Sequence, residues 1–175
     1  MLRERGSNCS VHGYNAIMTN PVANASTRNS KIIKASAEAL YRAFTDPSAL
    51  AAWRAPGNMT AKVHEFDLRV GGGYEMSLFY PQSDREARGK TSQHEDRFSA
   101  QFLELRPSKR IVEAIKFHSA DLAFTGKMFM IVTLEERDEG TEVTIMFENL
   151  PEGINPVDNE AGTRSSLEKL ARYVE

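Results

Sequence analysis

One cysteine, Cys9, stands in the 175 residues. A disulfide framework is therefore excluded, and the composition suits a reducing compartment, here expected to be the cytoplasm. Apolar runs are equally scarce: none exceeds a few residues, so no segment reads as a membrane span. The start, Met1-Leu-Arg-Glu-Arg-Gly-Ser-Asn, lacks the apolar stretch of a secretory signal. Without secretion, the glycosylation triplets Asn8-Cys9-Ser10 and Asn24-Ala25-Ser26 are chance matches. Charge of one sign is lacking as well. The net charge is −2, and Lys and Arg are scattered, which leaves no basic stripe for a nucleic acid. The four histidines, His12, His64, His94 and His118, are widely separated, and no His or Cys pair has metal-ligand spacing. Neither a metal nor a cofactor is expected.

Catalytic signatures are missing too. Ser166-Leu167-Glu168-Lys169 matches Ser-x-x-Lys, but the companion motifs of that enzyme class are absent. Gly89-Lys90-Thr91 resembles the end of a phosphate loop, yet Asp84 stands where its first glycine belongs. No catalytic residue is assigned.

What is present is a change of period along one domain. Residues 1–27 are rich in Asn, Ser and Thr and read as a mobile tail, with Met18 as an alternative start. The domain is expected to occupy residues 28–175. It opens with a strand around Lys31–Lys34. Ser36 then caps a helix carrying Leu40 and Phe44, and Asp46-Pro47 stops that helix and starts a second, bearing Leu50 and Trp53. From Met59 to Asn149 the period is two. Strands are predicted over Met59–Leu68, Tyr74–Tyr80, Phe98–Leu105, Ile111–Phe117, Met128–Glu136 and through Val143, Ile145 and Phe147. Gly71-Gly72-Gly73 and Asp138-Glu139-Gly140 supply turns, and residues 81–96 a polar loop. At the C-terminus Leu167, Leu170, Ala171 and Val174 form one helical stripe, with Asn155-Pro156 or Asp158 at its start. An α+β domain follows, in which the long helix covers one face of an antiparallel sheet.

Four segments then carry a family resemblance. Ala39–Pro47 with Leu50 and Trp53, Phe66–Gly72, Phe102–Pro107 with Arg110–Val112, and Gly140–Ile145 stand in the right order. Together they resemble the SRPBCC (START-like, helix-grip) superfamily, and within it the group homologous to the C-terminal domain of the activator of heat-shock-protein ATPase. That resemblance implies a curved antiparallel sheet of about seven strands wrapped around the C-terminal helix. Two short helices would lie between strands one and two. It also implies binding of hydrophobic molecules, in some members with cyclase or aromatase activity and in others with chaperone contact. One departure is visible: where relatives carry Trp after a glycine of the terminal helix, Gly162 is followed here by Thr163-Arg164-Ser165.

The expected function is binding of a small hydrophobic or amphipathic molecule between sheet and helix. Trp53, Met76, Leu78, Phe102, Met128, Met130 and Phe147 are the expected walls, each of which also reads as core packing. Glu160, Thr163 and Arg164 would orient a polar head, although Glu160 and Arg164 also read as an exposed i, i+4 pair. A cyclase-like enzyme using His64, Glu65 or Glu104, or a co-chaperone-like module, are the alternatives. The partner expected is a small hydrophobic molecule, with a homodimer left open and chaperone contact disfavoured.

Overall fold

The computed structural model describes residues 24–175. Cys9, His12, Met18 and all but the last four residues of the expected tail lie outside the described residues. The chain runs β1 (Thr27–Ile33), α1 (Ala37–Thr45), α2 (Pro47–Trp53), β2 (Thr60–Asp67), β3 (Gly73–Phe79), β4 (Glu95–Arg106) and β5 (Arg110–Phe117). A 3-10 turn at Leu122–Phe124 leads to β6 (Met128–Arg137), β7 (Gly140–Glu148) and α3 (Pro156–Val174). The seven strands form one antiparallel sheet in the order β1-β7-β6-β5-β4-β3-β2. The two short helices thus carry the chain from one sheet edge to the other.

Local chemistry sets the boundaries. The Ser36 side chain accepts the N–H of Ala39, and the Asp46 side chain accepts that of Ala49, with Pro47 in the first turn of α2. Asn155 caps α3 by accepting the N–H of Val157. Gly140 turns the β6–β7 hairpin at φ +142°, and a Cβ there would lie 2.2 Å from the carbonyl oxygen of Ile33. Only glycine fits that approach.

β1 begins at Thr27, earlier than the expected strand around Lys31–Lys34. Thr27 is buried, pairs with Phe147 and donates its hydroxyl to Asn159 of α3 at 2.6 Å. Contacts reach further back, since the Ala25 carbonyl accepts the N–H of Leu150. Thr27, expected in the tail, is thus part of the sheet, and Asn24 and Ala25 hydrogen-bond to Asn149 and Leu150. β4 likewise starts at Glu95, inside the expected polar loop.

The inner sheet face packs against α1, α2 and α3. Phe44 and Trp53 meet edge-on with ring centroids 4.8 Å apart, and the Trp53 indole donates to the Ala43 carbonyl at 2.9 Å. On β2–β5, Phe66, Tyr74, Phe102, Phe98 and Phe117 form a continuous string of aromatic contacts. Toward the C-terminal half of α3 the layer is closed by Leu167, Leu170 and Ala171. Toward its N-terminal half the apolar side chains give out, and helix and sheet stay apart.

Candidate functional site

That separation leaves a cavity of about 370 Å³. It falls within the roughly 300–1,000 Å³ common for small-molecule sites. The sheet supplies its apolar wall from inward positions: Leu78 on β3, Phe98 on β4, Ile115 on β5, Met128 and Met130 on β6, and Phe147 on β7. Trp53 closes the side nearest α2. The helix supplies a polar wall of Asp158, Asn159, Gly162, Thr163 and Ser166. These residues share one face because they recur at intervals of three and four. Three of them are already committed: Asn159 Oδ1 accepts from Thr27, Thr163 donates to the Asn159 carbonyl at 2.8 Å, and Ser166 to the Arg54 carbonyl at 2.9 Å.

Of the ten residues named from sequence, Trp53, Leu78, Met128, Met130, Phe147 and Thr163 line this space. The other four do not. Phe102 is enclosed by Phe66 and Tyr74, with centroids at 6.1 and 5.7 Å, and Met76 is fully buried in the core. Arg164 is exposed, and Glu160 sits half-buried outside the lining. The two are not paired among the described residues; Arg164 lies about 100° round the helix from Thr163.

The alternative acid–base residues also fall elsewhere. His64 sits at a β2 bulge, with Nε2 2.8 Å from the Ser77 hydroxyl. Ser77 in turn donates to Glu95 at 2.5 Å, on the sheet face opposite the cavity. Glu65 is exposed, and Glu104 is occupied by Arg110 at 3.2 Å.

Two charged groups at the cavity were missed from sequence. At one end, Asp96 accepts both the backbone N–H and the Nζ of Lys90, each at 2.6 Å, and the Tyr80 hydroxyl at 3.4 Å. Burial, helped by Asp96, pushes the Tyr80 phenol up to about 12. Lys90 also stands 5.4 Å over the Phe117 ring. This cluster closes on itself: each charge has its partner.

At the other end, Arg54 follows Trp53 and reaches along the inner face. Only 9% of its side chain is exposed. Its Nη2 lies 3.8 Å from Glu113 Oε2, beyond hydrogen-bond range, and its guanidinium carbon 5.8 Å from the Trp53 ring centre. Glu113 is fully buried beneath it, flanked by Phe102 and Met130 in register. Tyr74 donates its hydroxyl to Oε2 at 2.8 Å, while Oε1 has no partner among the described residues. Burial raises the Glu113 carboxyl above the ordinary range, against the opposing pull of Arg54 and of the Tyr74 hydrogen bond. Burial likewise raises the Tyr74 phenol well above its usual value. One signal for Glu113 was legible, since it interrupts the alternate apolar run Ile111, Ile115, Phe117. Nothing comparable marked Arg54, Lys90 or Asp96.

A family model described as Activator of Hsp90 ATPase homolog 1-like protein matches residues 34–175. No curated protein matches. Among solved structures, a Chromobacterium violaceum protein is 34% identical, with a TM-score of 0.76 over 86% of this chain and 96% of that one. An Arthrobacter aurescens protein, at 19% identity, reaches 0.70 over 85% of each chain. A Staphylococcus epidermidis protein, at 18% identity, reaches 0.69 over 90% and 93%. The last two resemblances concern the fold alone.

Proposed function

The chain belongs to the Activator of Hsp90 ATPase homolog 1-like family, and from that premise we propose that it binds a small hydrophobic or amphipathic molecule between the sheet and the first half of α3. The supporting observation is the composition of the cavity wall. Met128, Phe98, Phe147 and Leu78 turn apolar surface toward a space of about 370 Å³. Apolar surface of that kind gains roughly 25 cal/mol for each Å² taken from water, so an apolar occupant is favoured. The polar helix wall gives such an occupant an orientation, with the tail toward the sheet and the head toward α3 and α2. Methionine suits a wall that adapts to more than one shape.

Titration with an apolar fluorescent probe tests this reading, with Trp53, the only tryptophan, as an internal reporter. Saturable binding to the folded protein, with a change in Trp53 emission, is expected. Probe binding confined to partly unfolded protein would leave the reading without support. Native mass spectrometry of freshly purified protein would identify any molecule carried along.

A further inference from the structure

The cationic side chains of the cavity are not equivalent. Lys90 is fully engaged by Asp96, and Arg88 is exposed and donates to the Ala87 carbonyl at 2.8 Å. Arg54 differs from both. It is nine-tenths buried and lines the cavity, yet among the described residues its guanidinium donates no hydrogen bond within range. Its only counter-charge within 4 Å among the described residues, Glu113, is 3.8 Å away and already accepts from Tyr74. A guanidinium presents a fork of donors that matches a carboxylate, and here that fork lines the cavity with no acceptor among the described residues.

We propose that the occupant of the cavity is an amphipathic carboxylate whose head binds Arg54, and that Glu113 takes up a proton when it does. This deepens the ligand-binding reading and rests on it. An anionic head at Arg54 withdraws the positive charge on which an ionised Glu113 depends. Its other neighbours then offer no substitute charge: Tyr74 on β3 donates a neutral hydroxyl, Phe102 on β4 and Met130 on β6 flank it, and Arg54 is the one charged group acting on it. Its carboxylate becomes a buried charge without a counter-ion, and protonation is the cheaper state. Burial already biases the group in that direction, with Arg54 the main opposing influence.

Isothermal titration of the full chain with decanoate and with decan-1-ol tests the proposal, in two buffers of different ionisation heat at one pH. Decanoate should bind roughly tenfold or more tighter than the alcohol, as for a charge-assisted contact. Net proton uptake should accompany decanoate only. Arg54→Gln should abolish the preference while leaving decanol affinity within about twofold, and Glu113→Gln should strengthen decanoate several-fold and remove the uptake. Equal affinities of the wild type for the two ligands, or equal weakening by Arg54→Gln, would overturn the anion anchor and leave the cavity reading standing. Binding of neither ligand would overturn both. If Arg54→Gln does not fold, Glu113→Gln decides: unchanged affinity and unchanged proton uptake reject the proposal.

Discussion

The Ser166 hydroxyl donates to the main-chain carbonyl of Arg54 at 2.9 Å, a buried contact that ties the middle of α3 to the end of α2. It fixes the backbone of the residue whose side chain faces the cavity. Nearby, Lys169 Nζ donates to the Ala55 carbonyl at 2.6 Å and the Ser165 hydroxyl accepts the N–H of Gly57 at 2.8 Å. Three residues of the segment after Trp53, Arg54, Ala55 and Gly57, are thus held by one helix. Ser166→Ala leaves a buried carbonyl without its donor. The expected loss is about 1–3 kcal/mol by chemical denaturation, with the slope of the transition unchanged.

Gly162 offers a test in the opposite direction. A Cβ there would come no closer than 3.8 Å to Pro56, an ordinary contact. Gly162→Ala should therefore stabilise the protein by about 0.5–1 kcal/mol through helix propensity alone. Gly162→Phe occupies the same position in the cavity wall with a ring. It should fold and yet bind the apolar probe at least roughly tenfold more weakly, as expected when a site is filled. Unimpaired probe binding by the Phe variant would place the ligand elsewhere.

The pH dependence of stability should carry the mark of Glu113. Its folded carboxyl is raised, so above the ordinary value of 4.5 the unfolded chain has released a proton that the folded chain retains. Stability contributed by this group is then full at pH below that value and falls as pH rises toward the folded pKa. Glu113→Gln removes the titration and keeps an acceptor for Tyr74. The variant should gain thermal stability relative to wild type as pH is raised from about 4 to 7. A gain that is the same at both pH values would mean that Glu113 does not titrate in this window.

The sheet was readable from sequence because one of its faces is buried. Val143, Ile145 and Phe147 alternate with Glu142, Thr144, Met146 and Glu148, polar but for Met146, and a one-residue slip would turn them all to solvent. Capping was readable for a different reason, since Ser36, Asp46 and Asn155 act on backbone groups two or three residues away. The cavity's electrostatics had no such local basis. Lys90 belongs to the β3–β4 connection, Asp96 to the start of β4 and Arg54 to a helix end, and only tertiary packing brings them to one space. Met76 and Phe102 show the same limit: strand period assigns them the inner face but does not say which part of that face stays uncovered. The beginning of β1 was hidden because Thr27 buries a hydroxyl, bonded to Asn159, where a pattern reader expects an apolar side chain.

The helix register yields the last prediction. Extending the stripe of Leu167 and Leu170 backward meets Thr163 by a step of four and Arg164 by a step of three. These steps rotate the helix face in opposite senses, about 40° one way and 60° the other. Packing follows the step of four, so that Thr163 and Asn159 continue the inward row and Arg164 turns to solvent. Nothing among the described residues pairs with Arg164, and an exposed charge of this kind contributes little to stability. Arg164→Ala should change the unfolding free energy by less than about 0.5 kcal/mol and leave decanoate affinity within about twofold. Arg54→Gln, in the same titration, should lose the preference for the anion. Selective loss of decanoate affinity in Arg164→Ala would show that the helix turns this side chain inward when the cavity is filled, and the assignment of the anchor would pass from α2 to α3.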